Sequence, residues 1–100
     1  MEYTIQNGSL TLTASTHGAE ARELHGLGSA PWGWLWEGKA SVWGRWAPFC
    51  FPWCGKLDEG CFEDNGKRYY GGQHGFIRDV EHTLVEQGSD HLSFRFGWEA

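Results

Sequence analysis

Long apolar runs are missing from this chain. No stretch of its 100 residues approaches the roughly 20 consecutive apolar residues of a membrane-spanning helix. The opening "MEYTIQNGSLTL" carries neither the basic nor the apolar region of a secretory signal. A membrane role is therefore not expected, and the expected compartment is the cytosol. Basic charge is scarce too. Eight Lys and Arg against thirteen Asp and Glu leave a formal net charge of −5. No basic face is visible to neutralise phosphates, so nucleic acid is not an expected partner. Cysteine is limited to Cys50, Cys54 and Cys61, an odd count without a Cys-x-x-Cys pair, which argues against a disulfide framework. Together with His74 these residues hold enough donors for zinc, yet the spacing lacks the paired knuckles of a zinc module. The sequence reading is no metal, with the cysteines serving as small buried hydrophobes.

What the chain does have is aromatic side chains: seven Trp, six Phe and three Tyr, against a single Met. Each buries a large area, so a short chain can assemble a modest core from few of them. Left exposed, the same rings make platforms for sugars or adhesive patches for other chains.

Alternation dominates the pattern, and helical periodicity is absent. "YTIQ" runs into Asn7-Gly8 and then "SLTLTAS", with Leu10, Leu12 and Ala14 on one face. Asn-Gly between alternating runs predicts a hairpin turn with positive φ at both residues. The signal recurs at Asn65-Gly66, between "CFED" and "KRYY". A third turn, "QGSD" at 87–90, joins "VEHTLVEQ" to "HLSFRFGW", which sets Leu92, Phe94, Phe96 and Trp98 on one face. The middle, from Leu27 to Gly55, holds six of the seven Trp and all three Pro, and this density of Pro and Gly predicts ordered loops with short extended pieces. The expected architecture is all-β: a single domain over residues 1–100, antiparallel, with aromatic-rich central loops.

Among the histidines, His17, His25, His82 and His91 read as turn or strand residues. His74 stands apart in "GGQHGFIRD", where glycines let a ligand or another backbone come close. Imidazole donates or accepts a hydrogen bond near neutral pH, which suits a hydroxyl-rich ligand, although a plain turn histidine fits the same residues. Lys56, after Cys54-Gly55 and before Asp58-Glu59, is either a solvated turn residue or a cation aimed into the concave side of the sheet. Arg45 and Arg78 flank the same region and are placed to stack on Trp rings. "YYGGQHG" has neither the spacing nor the following helix of a phosphate loop, and no nucleophile elbow or Ser-His-Asp order is present.

Together these segments resemble the aldose 1-epimerase, or galactose mutarotase-like, family. "TLTASTHGAEARELHG" (11–26) resembles its opening hairpin with a Gly-Ala-Glu turn. "LWEG" (35–38) and "WGRWAPFCFPWCGKLDEGCF" (43–62) resemble its Trp-Gly-Arg, Ala-Pro, Phe-Pro and Gly-Arg-Leu series. "NGKRYYGGQHGFIRD" (65–79) resembles its hairpin followed by the His-Gly-Phe-Ala-Arg-Asp block. The resemblance implies an antiparallel β-sandwich-like portion of the family's supersandwich. It also implies an isomerase reaction that interconverts hexose anomers without a cofactor: a histidine acts as acid at the ring oxygen and a carboxylate takes the anomeric hydroxyl proton. His74 then matches a substrate-binding histidine, and Lys56 stands where the family has a substrate-binding arginine, without its planar two-pronged fork.

Family chains are several times longer, and the resemblance places both catalytic groups outside residues 1–100. None of Glu81, Glu86, Asp90 or Glu99 lies in a segment matching the catalytic motif, so no catalytic residue is assigned. The expected role is hexose binding through His74 and Lys56 with Arg78 and Arg45 nearby, in a chain that is inactive alone. Expected partners are a weakly held sugar and either a second copy or a complementing chain. Two other readings stand beside it: a self-associating interaction domain that has lost the sugar, and a hexose-phosphate variant in which Arg45, Lys56 and Arg78 face the phosphate.

Overall fold

The computed structural model describes residues 1–27 and 33–97; Trp98, which the alternation places on the last strand, and Glu99 lie outside them. Among the described residues seven strands form and no α-helix occurs. They are β1 (Glu2–Gln6), β2 (Leu10–Ser15), β3 (Glu20–Gly26), β4 (Cys61–Asp64), β5 (Lys67–Tyr70), β6 (Thr83–Gln87) and β7 (Leu92–Arg95). Every strand pairing is antiparallel, as the alternation predicts. The ladder is not continuous, however: β1–β2–β3 form one sheet, and β4–β5 and β6–β7 are separate hairpins. No described helix is long and apolar enough to cross a membrane.

The two Asn-Gly turns differ. Asn65 and Gly66 both adopt positive φ, 51° and 76°, the geometry that a two-residue hairpin requires. At the first turn only Gly8 does so, with φ of 92°. There a third residue, Ser9, enters the loop, and the Asn7 side chain accepts hydrogen bonds from the N–H groups of Ser9 (2.9 Å) and Leu10 (2.8 Å). Asn7 therefore works as a side-chain cap on the turn, a role open to Asn because its amide oxygen reaches the backbone two residues on.

The β6–β7 hairpin is tied to the first sheet through residues 15–18. The Gly18 N–H donates to Val80 O and the His82 N–H to Thr16 O, both at 2.8 Å. Thr16 Oγ1 donates to Glu81 Oε2 at 2.8 Å, and Tyr3 meets Phe94 with ring centroids 6.1 Å apart. A buried carboxylate anchors the central loops. Glu20, 5% exposed, accepts hydrogen bonds from the backbone N–H groups of Trp46 (3.1 Å) and Ala47 (3.2 Å). Arg22 lies 3.4 Å from the same carboxylate and stacks over the Trp46 ring at 4.2 Å.

The expected aromatic core does not form among the described residues. Ala14 is the one buried hydrophobic residue there, beside Ser15, Thr16 and Glu20. Phe49, Phe51, Trp34 and Tyr70 are all more than half exposed. The described chain is a thin layer of 58 × 32 × 17 Å, and its radius of gyration of 16.6 Å exceeds the ~13 Å of a compact 100-residue domain. The three sheets are small and separate, so among the described residues no second layer covers these exposed rings.

Candidate functional site

Two segments far apart in sequence meet at Phe51–Gly55 and His74–Ile77. Their backbones interlock: the Phe51 N–H donates to His74 O (3.1 Å), and Phe51 O accepts from the N–H groups of Phe76 (3.0 Å) and Ile77 (3.2 Å). Gly75 must be glycine here, because its φ is +75° and a Cβ would strike the Phe51 carbonyl oxygen. His74 itself has φ of 65°, in the left-handed region that non-glycine residues enter rarely and often at functional positions.

The imidazole is held in a defined state. The Gly55 N–H donates to His74 Nδ1 at 2.8 Å, while the His74 N–H donates to Gly55 O, also at 2.8 Å. A backbone N–H can only donate, so Nδ1 is an acceptor and the neutral ring carries its proton on Nε2. Nε2 lies 3.3 Å from the Gln73 side-chain nitrogen, itself a donor, so the Gln73 amide accepts the ring proton only when it turns to present its oxygen. The site thus offers a ring N–H donor from a partly buried, backbone-locked position. No described carboxylate bonds to this imidazole.

Lys56 follows Gly55 directly, is exposed, and has no hydrogen-bond or ion-pair partner among the described residues. Its ammonium is a free donor on the residue that follows the Gly55 anchor of the His74 turn. Pro52 and Trp53 from the same loop and Phe76 from the same turn line an apolar groove of about 350 Å³ together with Phe62, Tyr69 and Tyr70. Within it Trp53 meets Phe62 edge-on (5.6 Å), and Phe62 stacks on Tyr69 (5.1 Å). The Trp53 Nε1–H donates to Gly72 O at 2.9 Å, so the glycine pair before His74 is pinned to this ring.

Arg45 and Arg78 are otherwise engaged. Arg45 Nη1 donates to Asp79 Oδ1 at 2.8 Å, and Arg78 Nη2 donates to Gln73 O at 3.0 Å with its Nε 3.9 Å from Asp79 Oδ2. The hydrogen bond from Arg45 holds the Asp79 carboxyl below the ordinary carboxylate range, against the opposing effect of its partial burial. The cation over a Trp ring is Arg22, not Arg45. Asp79 takes both guanidinium groups because it lies between them, a relationship that spacing in sequence does not reveal.

The cysteines also depart from expectation. Cys50 and Cys54 are exposed and Cys61 half-buried, all as free thiols, because the loop that carries the first two runs along the surface instead of through a core. The donor atoms of Cys50, Cys54 and His74 all lie within 4.8 Å of one another.

No protein-family profile matches the chain. It is 27% identical over 99 residues to protein LacX of Lactococcus lactis subsp. lactis, in both its chromosomal and its plasmid form, covering 94% of this chain and 32% of theirs. Among solved structures, a galactose mutarotase related enzyme from Lactobacillus acidophilus superposes with a TM-score of 0.90 at 32% identity, covering 94% of this chain and 31% of that one. A galactose mutarotase-like protein from Lactobacillus casei gives 0.88 at 28% identity, covering 94% and 32%. The chain thus spans about a third of the length of the relatives it matches.

Proposed function

For a chain that belongs to the galactose mutarotase-like family and aligns with about a third of its members' length, we propose a sugar-contacting role in which His74 and Lys56 hold a hexose and neither performs the chemistry. One observation carries this reading: His74 is locked by its reciprocal bonds with Gly55 in the tautomer that presents Nε2–H, and the residue after Gly55 is Lys56, whose ammonium has no partner among the described residues. One fixed imidazole donor and one unpaired ammonium suit hydroxyl and ring oxygens. The adjoining Trp53, Phe62 and Tyr69 rings suit the apolar C–H face of a pyranose. Lys56 supplies a point charge where a bidentate fork would hold two oxygens, so binding is weak, at millimolar Kd or about −4 kcal/mol.

Catalysis of anomer exchange needs a proton donor and a proton acceptor on one ring. With His74 committed as a donor and no described carboxylate bonded to it, this stretch has a binding half only. A saturable change in Trp fluorescence with hexose, lost in His74→Ala and weakened in Lys56→Ala, supports the proposal; a flat titration refutes it. Arms with hexose phosphates separate the phospho-sugar variant, which the engagement of Arg45 and Arg78 around Asp79 disfavours.

A second reading rests on a different observation. Ala19, Phe49, Phe51, Ile77, Phe94 and Phe96 line an open apolar face, and Phe49 and Phe51 are 58% and 56% exposed. An apolar face of this kind fits self-association or a complementing chain. Light scattering that stays at 11.3 kDa at high concentration excludes self-association.

A further inference from the structure

We propose that Cys50, Cys54 and His74 form a binding site for a thiophilic divalent cation of the zinc class, a function separate from sugar contact although it shares His74. The three donor atoms already lie within 4.8 Å of one another, so a closure of about 1 Å brings them to the roughly 3.5–3.8 Å separations that tetrahedral coordination by two sulfurs and one nitrogen imposes. Two soft sulfur donors and an imidazole select zinc, cobalt or cadmium over the hard cations that prefer oxygen. Both thiols are exposed, so an ion has an entry path, and solvent can complete the fourth position.

Scaffolding comes from the same bonds that lock the histidine. Phe51–His74, Gly55–His74 and Phe51–Phe76 backbone hydrogen bonds fix the loop that carries both cysteines against the turn that carries the imidazole. A divalent cation stabilises both thiolates. Two thiol protons pass to solvent as two metal–sulfur bonds form, so affinity rises with pH.

His74 has two ways to join. Through Nδ1, the ion replaces the Gly55 N–H as the partner of that lone pair. Through Nε2, the ring proton must move to Nδ1, which then cannot accept from Gly55. Either way the Gly55 N–H to Nδ1 bond is given up. Loading should therefore shift the Gly55 amide resonance, an effect that a site made of the two thiolates alone would not require.

The test uses the full 100-residue chain under reductant, titrated with cobalt(II) and cadmium(II) and with zinc as competitor. One equivalent of cobalt should produce thiolate-to-metal charge-transfer absorption and the visible bands of tetrahedral cobalt, both erased by zinc. Cys50→Ser, Cys54→Ser and His74→Asn should each weaken binding at least about tenfold, the lower end seen on removing even an outer partner of a ligand. His74→Asn is chosen because Asn tolerates positive φ and its amide oxygen can still accept from Gly55. Cys61→Ser should bind as the parent does. The proposal is overturned by an absence of charge transfer in the parent, by undiminished binding in His74→Asn, or by loss in Cys61→Ser with retention in the other two cysteine variants.

Discussion

Gly55 and His74 hold each other twice, the Gly55 N–H on the imidazole Nδ1 and the His74 N–H on the Gly55 carbonyl, both at 2.8 Å. The first bond fixes the tautomer and the second fixes the turn. Positive φ at both residues, 94° and 65°, lets two tight bends face each other at this distance.

Replacing His74 with Ala removes the acceptor and leaves the Gly55 N–H without its partner. A loss of about 1 kcal/mol is expected, the ordinary cost of one hydrogen bond with partial rescue by water. His74→Asn should recover much of it. Denaturant unfolding of the two variants beside the parent checks this; equal losses would mean that the Nδ1 bond contributes nothing.

Glu20 is the fold's buried carboxylate, and its substitution should cost more. Glu20→Ala leaves the Trp46 and Ala47 N–H groups without an acceptor and takes from Arg22 the nearer of its two carboxylates, for an expected loss of about 3 kcal/mol. The Trp46 fluorescence should redden as the central loop detaches from β3. Unchanged stability would show that the loop is held by its aromatic contacts instead.

Acid should weaken the link between the central loop and the His74 turn. Arg45 lowers the folded-state pKa of Asp79, so this pair stabilises the fold fully above the unfolded value of about 3.9. The contribution is lost as pH falls through the still lower folded value. Asp79 is half exposed, which limits the effect to about 1 kcal/mol or less. Asp79→Asn should flatten the stability profile below about pH 4; a profile identical to the parent's would refute the linkage.

Mutarotation by the 100-residue chain alone should not exceed the spontaneous rate. An acid and a base each contribute about 10²–10⁴-fold in such reactions, and His74 has no bonded carboxylate among the described residues. Polarimetry on fresh α-glucose and α-galactose decides it. Catalytic acceleration abolished by His74→Ala would make this imidazole a catalytic residue.

Local signals were the legible ones. Asn65-Gly66 announced its turn because both residues tolerate positive φ, and glycines around His74 announced a tight approach. Asn7-Gly8 misled in detail, since the same pair also builds a side-chain-capped three-residue turn when a Ser follows. Partnerships across the fold were not legible. Alternation sets Glu20 and Glu23 on opposite faces without saying which carboxylate is buried, and nothing in the spacing of Arg45 and Arg78 shows that Asp79 stands between them. The burial of Cys50 and Cys54 was misjudged because composition reports apolar content and not whether a second layer covers it. Their approach to His74 depends on two loops that meet only once the chain is folded.

The sugar-contacting role of Lys56 and His74 is tested most directly by an amide-shift titration of the chain with glucose and galactose. The account predicts saturable shifts at millimolar sugar, largest at Gly55, Lys56 and His74 and extending to Trp53, with the His74→Ala variant silent. Shifts confined to the Phe49–Phe96 face, or none at all, would contradict it.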